Sequence, residues 1–545
     1  MAPTRSCCTR RHRDAACQPR SRQRAFQQQS STPLPHAIAA SSCRPNLDSL
    51  LMRVLAGDAS SLDALTGHCI SHGWKLPPPA RREGGLWMLD PDRIATLPPP
   101  PTPSPEYGQP WFEQMFDDQS GERRLPHIDC SARPAGSPLP ARSLELVRAG
   151  MCCVLERPRL WPAAEEKWGS AAYLRRELKD VKCNVLSSPA ASRRFSYWFD
   201  SSAFSDRVQA GYKAKPVVTS LDMSVDRFLD ASKKRPAHTD ANLLYLQQSL
   251  LITPSDRPGL MPCAGLGEGM RRDIEQGIDG SALRALAEAG GFGPWQRCQL
   301  FVGGAAAEGA RSILHFDQYD NLFVQIQGSK TFRIYDPQQT PALYPYPIHH
   351  PLDTRSQVDL ERPDHAAFPR LATATGVTIT LRPGQLLFLP AYWWHEVLTD
   401  PIDADSRSGQ PLTVSVNFWF AATARLLSPT RPLVPSMHCE LARQLEYLIS
   451  DCLHDRAHHV PRFFASLLAA LEAGRSTSAI RDVHSALLRQ RPDDVAAAEW
   501  TGLFQFVVWK LAMLVGPRAM VSFVHDLCHP SRFEQLRIET EHRGK

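Results

Sequence analysis

The middle of this chain, from about residue 240 to about residue 420, is predicted to form a mainly β sandwich or jelly-roll barrel with helices on either side. Three features predict this fold class. Short strand-like segments are joined by tight turns, one segment alternates between apolar and polar residues, and the apolar spacing becomes helical after residue 430. Many short antiparallel strands with tight turns are typical of such folds.

Tight turns separate the strand-like segments. Residues 321–327 and 330–335 flank the dipeptide Gly328-Ser329, which predicts a β-hairpin. Residues 377–381 lead into Arg382-Pro383-Gly384-Gln385, where proline and then glycine at the central positions indicate a type II turn. A further strand is expected over residues 385–390.

Residues 412–419 predict a strand with two different faces, because residues two apart in a β-strand point to the same side. The apolar face consists of Leu412, Val414, Val416 and Phe418. The other face consists of Thr413, Ser415, Asn417 and Trp419. After this strand, apolar residues recur at helical spacing in residues 441–452 and 463–471, and a last helical segment is expected over roughly 478–530.

The composition is that of a globular protein with more than one domain. The chain has 545 residues, of which 43% are apolar and 22% charged. The net charge of +6 is mild, and no basic stripe interleaved with aromatic residues is present, so nucleic-acid binding is not expected. The apolar run from Leu503 to Val515 is too short to span a bilayer and is expected to be a core helix, so no membrane association is predicted.

The N-terminus and the cysteines bear on the cellular compartment. The 14 cysteines are scattered without any C-x-x-C motif, and the N-terminus lacks a secretory apolar segment, which predicts reduced thiols in the cytoplasm or nucleus. Residues 1–45 hold eight arginines and one acidic residue, Asp14. Such a segment is typical of an organellar transit peptide and equally of a disordered arm, so an organellar location stays open.

Composition divides the chain into five predicted parts. A stiff proline-rich linker at residues 98–105 marks the clearest boundary. The parts are a disordered or transit-like arm (1–45), a small helical module with the linker (46–105), the domain that holds the strands (106–428), a helical region (429–475) and a C-terminal helical extension (476–545).

His315, Asp317 and His395 are predicted to carry the chemistry. The first two are alternate residues of an extended segment, and the third follows the strand-like run 385–390 and three aromatic residues. Two imidazoles and one carboxylate can bind one face of an Fe(II) ion and leave the opposite face open. A structural zinc site would need four ligands, usually with cysteine, and none is near in sequence. Two surface histidines and an unrelated aspartate are the alternative.

Three further polar residues fit such a site. Lys330 shares a strand face with Phe332 and Ile334, and a lysine on an apolar face is costly unless it meets an anion such as a dicarboxylate cosubstrate. Asn321 and Asn417 carry amides, which can donate and accept around a chelated keto acid. Each has a simpler explanation, since Lys330 could reach solvent and Asn417 could bond a neighbouring backbone group.

Longer motifs carry a family resemblance. They are Leu244-Tyr-Leu-Gln-Gln248, Leu343-Tyr-Pro-Tyr-Pro-Ile-His-His-Pro351, Ser356-Gln-Val-Asp359, Tyr392-Trp-Trp-His395 and Val416-Asn-Phe-Trp419. On these motifs the chain resembles the JmjC family of 2-oxoglutarate oxygenases, and within it the asparaginyl hydroxylase group of factor inhibiting hypoxia-inducible factor. The resemblance is strong over about 240–420 and traceable from about 140 to about 475.

The resemblance implies a fold, cofactors and a partner. Residues 106–428 would form a double-stranded β-helix, the cupin or JmjC jelly roll, with Fe(II) bound by His315, Asp317 and His395 and with 2-oxoglutarate and O₂ as cosubstrates. The 2-oxoglutarate pocket would consist of Tyr245, Ser312, Asn321, Phe323, Lys330 and Asn417. Residues 429–475 would be a dimerisation region, in which helices at 437–473 interlock two copies in a homodimer. An intramolecular core is the alternative for these helices.

The resemblance also places Tyr319, Asp353, Arg355 and Trp419 near a bound protein substrate. The chain departs from the family at this point. The family has Arg and then Gln after the residue that matches Asp353, where they grip a side-chain amide, whereas this chain has Thr354 and Arg355. Tyr319 also stands where the family has Gln. Because arginine offers only hydrogen-bond donors, Arg355 would suit an acidic or carbonyl-bearing target better than glutamine would.

The predicted function is therefore Fe(II)- and 2-oxoglutarate-dependent hydroxylation of a protein side chain, with release of succinate and CO₂. The resemblance implies asparagine as the target, in an ankyrin-repeat protein or a transcription factor. Two alternatives stay open. One is a related JmjC oxygenase acting on a histone methyl-lysine, another side chain or a tRNA base, and the other is a cupin-like binding protein without catalysis.

Overall fold

The computed structural model describes residues 51–56, 64–65, 80–83, 86–89, 124–134, 136–196, 218–233, 242–252, 260–401, 411–422, 433–454, 456–476 and 479–533. The predicted arm (1–45), the proline-rich linker (98–105) and most of the predicted module at 46–95 lie outside the described residues. The described part contains two β-sheets around a pocket, helices against the larger sheet, a C-terminal helical region, and a separate two-stranded antiparallel sheet formed by residues 80–83 and 86–89.

The described strands are β1 (Ala80–Glu83), β2 (Leu86–Leu89), β3 (His127–Asp129), β4 (Cys153–Glu156), β5 (Cys183–Pro189), β6 (Arg194–Phe195), β7 (Thr219–Met223), β8 (Asn242–Ile252), β9 (Met261–Pro262), β10 (Trp295–Gly304), β11 (Arg311–Phe316), β12 (Tyr319–Gln327), β13 (Lys330–Tyr335), β14 (Val377–Leu381), β15 (Gln385–Leu389), β16 (Trp394–Thr399) and β17 (Leu412–Ala421).

The described α-helices with named bounds are α1 (Ala141–Arg148), α2 (Pro162–Lys167), α3 (Ala171–Glu177), α4 (Val225–Ala231), α5 (Glu268–Gln276), α6 (Gly280–Gly290), α7 (Thr340–Leu343), α8 (Pro435–Cys452), α9 (Val460–Ser476), α10 (Ile480–Leu488), α11 (Ala497–Leu514) and α12 (Met520–Leu527). Residues 51–55 add a short helical stretch.

From β10 to β17 the chain crosses to the other sheet after each strand except β13, which pairs with the next strand, β14. The larger sheet has the order β3-β4-β15-β12-β17-β10-β8-β5-β7, with β9 beside β8, and the smaller sheet has the order β14-β13-β16-β11-β6. Strands β10, β12, β15 and β17 therefore lie in the larger sheet, and β11, β13, β14 and β16 lie in the smaller one. This alternation is a double-stranded β-helix, so the predicted fold class is confirmed.

The predicted hairpin around Gly328-Ser329 is wrong. Strands β12 and β13 exist at the expected positions, but β12 pairs with β15 and β17, whereas β13 pairs with β14 and β16. The Gln325 side-chain amide donates to the carbonyls of Gln327 and Gly328 at 2.7 and 3.2 Å, which closes a corner at the sheet edge. A two-residue connection fits a corner between sheets as well as a hairpin, and only the partner strands distinguish the two.

The predicted type II turn is confirmed. Gly384 has a φ of 85°, which this turn requires at its third residue, and the Gln385 N–H donates to the Arg382 carbonyl at 3.1 Å. This turn also joins strands of different sheets, since β14 lies in the smaller sheet and β15 in the larger one.

Strand β17 has the two faces that the sequence predicted. The apolar face is fully buried in the core between the larger sheet and the helices, where Phe418 packs against Trp161 of the turn before α2 with ring centroids 5.4 Å apart. The polar face turns toward the pocket, which Asn417 and Trp419 both line. Burial of both faces fixes the register of this strand, because a shift by one residue would place its polar residues in the core and its apolar residues in the pocket.

The C-terminal helices form a second core within the chain. Helices α8 and α9 pack with α10, α11, α12 and the stretch 51–55 around large buried residues that include Phe463, Phe464, Trp500 and Phe504. This packing corresponds to the intramolecular alternative, and the homodimer stays a prediction. The apolar run from Leu503 lies in α11 as the predicted core helix. No helix among the described residues is both long and apolar enough to cross a membrane.

Candidate metal centre

His315, Asp317 and His395 converge because strands β11 and β16 are neighbours in the smaller sheet. His315 and His395 are direct partners in the antiparallel ladder, and their ring centroids are 4.2 Å apart. Asp317 follows the end of β11, and its Oδ2 lies 3.9 Å from Nε2 of His395. The potential ligand atoms of all three residues lie within 4.8 Å of one another.

Backbone contacts orient both imidazoles. Nδ1 of His315 lies 2.7 Å from the carbonyl oxygen of Ile313, and Nδ1 of His395 lies 3.0 Å from that of Trp393. With a proton on each Nδ1, each ring keeps the lone pair of Nε2 for a metal ion.

The segments that carry these ligands are also bonded to each other. The Tyr392 N–H donates to the carbonyl of Asp317 at 2.8 Å, and the Ala391 N–H donates to the Asp320 carboxylate at 3.0 Å. The loop after β11 and the loop before β16 are thereby held together, so the three ligands are positioned by the sheet and by both loops.

Electrostatics keep both histidines neutral. Burial lowers the pKa of His315 well below its ordinary value, and the nearby His395 and Arg355 lower it further. Burial also lowers the pKa of His395, although Asp317 raises it in part. Neutral imidazole is the form that binds a metal ion, so the site needs no deprotonation before binding.

This donor set fits Fe(II). Two imidazole nitrogens and one carboxylate on one side of a pocket match the facial arrangement of non-haem iron oxygenases, which leaves positions open for other ligands. In the described part of the chain, no fourth His, Cys, Asp or Glu joins this group, as a closed structural zinc site would require.

The pocket beside the three ligands extends between the two sheets and holds about 660 Å³ of empty space, part of it open to solvent. Its walls include every residue predicted for 2-oxoglutarate, which are Tyr245, Ser312, Asn321, Phe323, Lys330 and Asn417. These residues come from β8, β11, β12, β13 and β17, so both sheets contribute to one enclosure.

Lys330 lies in this pocket and is only 1% exposed, which excludes the alternative that it reaches solvent. Its ammonium donates to the Tyr245 hydroxyl and to the Ser415 hydroxyl, both at 2.7 Å. The rings of Tyr245, Phe301 and Phe323 surround it at 5.2, 5.4 and 5.2 Å.

Burial lowers the pKa of Lys330 from 10.5 to about 7. Among the described residues, no carboxylate lies within ion-pair distance of the ammonium, and its bonded neighbours are neutral hydroxyls. A buried cation of this kind is unfavourable by itself, and an anionic ligand would relieve the cost.

The two asparagines lie on adjacent strands of the larger sheet. Asn417 is opposite Phe323, and Asn321 is opposite Trp419. Both asparagines are buried, and the side-chain oxygen of each has no hydrogen-bond partner in the described structure. An amide can present either its oxygen or its NH₂ group, so both side chains are available to a polar ligand in the pocket.

Of the four residues predicted near the substrate, two line the pocket, a third contacts one of these two, and the fourth lies elsewhere. Trp419 and Arg355 line the pocket, and Tyr319 stacks on Trp419 with ring centroids 6.1 Å apart while remaining 39% exposed. Asp353 lies outside the pocket lining, where its carboxylate accepts from Nε and Nη2 of Arg443 at 3.1 and 2.6 Å.

Ser415 and Arg443 are two residues that the sequence analysis did not assign to the site. Ser415 could have been found, because it shares the polar face of β17 with Asn417. Arg443 carried no such signal. It lies on α8 and is buried, and it bonds Glu440 as well as Asp353. Through Asp353 it connects the C-terminal helices to the segment that runs beside β11.

That segment forms part of the site. The Phe316 N–H donates to the Thr354 carbonyl at 3.0 Å, and the Ser356 N–H donates to the Leu314 carbonyl at 2.9 Å. Between them, Arg355 forms an isolated antiparallel bridge with His315. The backbone of Arg355 is therefore fixed next to a metal-binding candidate.

Comparison with known proteins agrees with this architecture. HSPB1-associated protein 1 of Homo sapiens is 37% identical over 126 residues, which are 23% of this chain and 23% of that protein. Lysine-specific demethylase 8 of Xenopus tropicalis is 38% identical over 113 residues, 21% of this chain and 23% of that protein. The chain thus aligns with about a quarter of the length of these relatives.

A longer match is the bifunctional peptidase and (3S)-lysyl hydroxylase JMJD7 of Homo sapiens, which is 26% identical over 291 residues, 49% of this chain and 76% of that protein. The specific resemblance to the asparaginyl hydroxylase of hypoxia-inducible factor stays a prediction. The model of the family described as "Cupin-like domain" matches residues 145–425, which hold all three metal-binding candidates. Because this match covers just over half of the sequence, the chain belongs to the Cupin-like domain family.

Proposed function

We propose that this protein is an Fe(II)- and 2-oxoglutarate-dependent oxygenase that hydroxylates a side chain of a protein substrate. One observation carries the proposal: the ligand atoms of His315, Asp317 and His395, which lie within 4.8 Å of one another, share a pocket with the buried ammonium of Lys330. A metal site alone would not specify a cosubstrate. A buried cation in the same pocket calls for an anion that reaches from the metal to the ammonium, as a dicarboxylate can.

Different residues of the pocket would bind the metal ion and the cosubstrate. His315, Asp317 and His395 would hold one face of the iron, and Lys330 with the hydroxyls of Tyr245 and Ser415 would hold the far carboxylate of 2-oxoglutarate. When bound, Fe(II) with 2-oxoglutarate and O₂ would supply the oxidising power for hydroxylation. The overall change converts a C–H bond, O₂ and 2-oxoglutarate into C–OH, succinate and CO₂.

Other residues keep the pocket ordered and partly dry. Phe323 and Phe332 meet edge to face with ring centroids 5.0 Å apart, and both line the pocket. The amides of Asn321 and Asn417 can donate to the oxygens of a keto acid. Apolar walls with a few placed polar groups limit the access of water to the reacting atoms and fix the orientation of the ligand.

The relatives support the class of the reaction. One carries the name of a lysine-specific demethylase and another that of a lysyl hydroxylase, and both names describe oxidation at a protein side chain. The alignment with the hydroxylase covers about half of this chain, so its substrate cannot be transferred with its name. In the asparaginyl hydroxylases that the chain resembles, an Arg and a Gln bind the side-chain amide of the target, and Thr354 and Arg355 stand at those two positions here. Asparagine as the target therefore remains a prediction, as do ankyrin-repeat and transcription-factor partners.

Turnover of 2-oxoglutarate tests the proposal directly. The full chain would be incubated with Fe(II), 2-oxoglutarate, ascorbate and a protein extract, and succinate would be quantified by mass spectrometry. We expect formation that depends on Fe(II) and on the extract and that stops with a chelator. His315→Ala and Asp317→Ala should abolish it, because each removes one of three ligands.

His365→Ala is the matched control, because His365 is exposed and lies outside the pocket lining. It should leave succinate formation unchanged. Calorimetry under anaerobic conditions would measure Fe(II) and 2-oxoglutarate binding independently of the substrate. If the wild-type chain binds neither compound, or if the ligand variants turn over normally, the proposed function is wrong.

A further inference from the structure

Helix α8 carries two buried charged residues on one face. Glu440 and Arg443 are three positions apart, which places them on the same side of a helix, and they are 9% and 4% exposed. The Arg443 guanidinium donates to the Glu440 carboxylate. Because buried charges are costly unless their hydrogen bonds are satisfied, the other partners of this pair are informative.

Both residues contact the segment that carries two of the metal-binding candidates. The Gln318 side-chain amide donates to the Glu440 carboxylate at 3.1 Å, and the Arg443 guanidinium lies over the Phe316 ring, 5.9 Å from its centroid. Phe316 and Gln318 are the residues immediately before and after Asp317. One turn of α8 therefore contacts the chain on both sides of this candidate ligand.

Asp317 depends on such contacts more than the two histidines do. His315 and His395 lie within β11 and β16, where they are direct partners in the ladder. Asp317 and Gln318 instead form the connection between β11, which ends at residue 316, and β12, which begins at residue 319. The position of the Asp317 carboxylate is therefore set by the contacts of this two-residue connection and of its neighbours.

Two loops beside this connection have backbone conformations that require support. Tyr392 and Thr354 both have a φ of 68°, in the left-handed region that residues other than glycine rarely adopt. The Tyr392 N–H donates to the Asp317 carbonyl, and Arg443 binds the carboxylate of Asp353, directly before Thr354, at two points. Unfavourable conformations of this kind persist only where surrounding contacts maintain them, and they concentrate at functional sites.

We propose that Glu440 and Arg443 are positioning residues, which hold Asp317 where it completes the metal site. The inference rests on the proposed function and assigns part of the metal affinity to the C-terminal helical region. Neither residue is among the described lining of the pocket, so both act through the residues around Asp317. Contacts of this indirect kind typically change the affinity for a metal ion 10- to 100-fold, because they orient the ligands themselves.

Metal binding without turnover tests the inference. The full chain would be titrated with Mn(II), which stands in for Fe(II), and free Mn(II) would be quantified by electron paramagnetic resonance. Gln318→Ala removes the hydrogen bond to Glu440 from the side of the ligand, and Glu440→Ala removes it from the side of the helix. We expect each variant to bind Mn(II) about tenfold more weakly than the wild-type chain.

A double variant shows whether the two residues act through one contact. Gln318→Ala combined with Glu440→Ala should bind Mn(II) no more weakly than Glu440→Ala alone, because both changes break the same hydrogen bond. Glu440→Gln keeps an oxygen that can accept from Gln318 and should keep most of the affinity. Arg443→Leu should also weaken Mn(II) binding, and Arg443→Lys should weaken it less, because a cation remains beside Asp353.

Gln444→Ala is the matched control. Gln444 also donates to the Glu440 carboxylate, at 2.6 Å, but this bond lies within α8. Its removal should leave Mn(II) affinity unchanged. Urea unfolding of each variant without metal separates positioning from stability, because a purely structural role would lower the free energy of unfolding and leave the Mn(II) affinity of the folded chain unchanged.

The outcomes are distinct. Wild-type Mn(II) affinity in a folded Gln318→Ala or Arg443→Leu variant overturns the inference. So do losses that add up in the double variant, or an equal loss in Gln444→Ala. None of these results affects the proposed oxygenase function, since the wild-type chain still binds the metal. A wild-type chain that binds no Mn(II) contradicts the proposed function itself, and the inference with it.

Discussion

Replacing Lys330 by methionine should raise stability and lower function at the same time. Methionine keeps an unbranched apolar chain of similar length but removes the charge. Lys330 is 1% exposed, and its ammonium contacts the hydroxyls of Tyr245 and Ser415 and three aromatic rings. In the absence of an anion the native state bears the desolvation cost of this charge, and the variant does not.

The size of the effect follows from the lowered pKa. Burial lowers the pKa of Lys330 from 10.5 to about 7, which corresponds to about 4–5 kcal/mol at about 1.4 kcal/mol per pH unit. Methionine also loses the two hydrogen bonds to the hydroxyls of Tyr245 and Ser415, which costs about 3 kcal/mol at roughly 1.5 kcal/mol per bond. The free energy of unfolding of Lys330→Met should therefore rise by about 1–2 kcal/mol at pH 7 without ligand.

Ligand binding should change in the opposite direction. A carboxylate buried without its cation is unfavourable by about 3–5 kcal/mol, so the affinity of Lys330→Met for 2-oxoglutarate should fall at least ~100-fold. Urea unfolding without ligand and calorimetry with 2-oxoglutarate would measure the two effects. Lys510→Met is the matched control, because Lys510 is also buried but lies in α11 outside the pocket lining. It should leave 2-oxoglutarate affinity unchanged.

A Lys330→Met protein that is destabilised by more than about 2 kcal/mol and still binds 2-oxoglutarate normally would refute the reasoning. That result would mean that the ammonium has a structural role. A loss of 2-oxoglutarate affinity in the Lys510→Met control would also contradict the reasoning, since it would show that the loss of affinity does not depend on the position of the removed charge.

Three further predictions follow from the same contacts. The affinity of the wild-type chain for 2-oxoglutarate should fall up to ~10-fold per pH unit above pH 7, because the ammonium of Lys330 is the binding form and its pKa in the empty pocket is about 7. Calorimetry at several pH values would check this, with Lys330→Met as a reference whose affinity should not change over the same range. Arg443→Leu should lower the free energy of unfolding by about 3–5 kcal/mol, because it leaves the carboxylate of Asp353 buried without its cation. Urea unfolding would measure this, and Arg462→Leu at an exposed position should change the free energy of unfolding little. Burial lowers the pKa of Lys510 to about 6, so between pH 6 and pH 10.5 the unfolded chain binds more protons than the native chain. The free energy of unfolding of the wild-type chain should therefore rise with pH in this range, and the part of the rise that is due to Lys510 should be absent in Lys510→Met.

The strands were predictable where the pattern is local. Residues 377–381 form β14 with the predicted bounds, and β17 begins at Leu412 as expected. Alternation of side chains is a property of the extended backbone itself and needs no partner strand. The failure at Gly328-Ser329 has the opposite cause, because the partners of β12 and β13 come from distant parts of the chain.

The site was predictable to the extent that its chemistry is carried by residue types. Two histidines, an aspartate and a lysine on an apolar face indicated a metal ion and an anion before any coordinates. The roles of Asp353 and Arg443 were not predictable, because an aspartate beside an expected substrate pocket carries no mark that an arginine of a later helix will bind it.

By itself, the sequence determined which groups this protein can offer: a set of ligands suited to iron, a strand with one apolar and one polar face, and a basic residue where an amide-gripping residue was expected. Only the tertiary structure decided that these groups meet. His315 and His395 are ladder partners although they are far apart in the chain, and Lys330 of the smaller sheet donates to Tyr245 and Ser415 of the larger one. The physical reason is that residue chemistry and alternation are local, whereas the distances between ligands and the burial that shifts their pKa values depend on which strands pair.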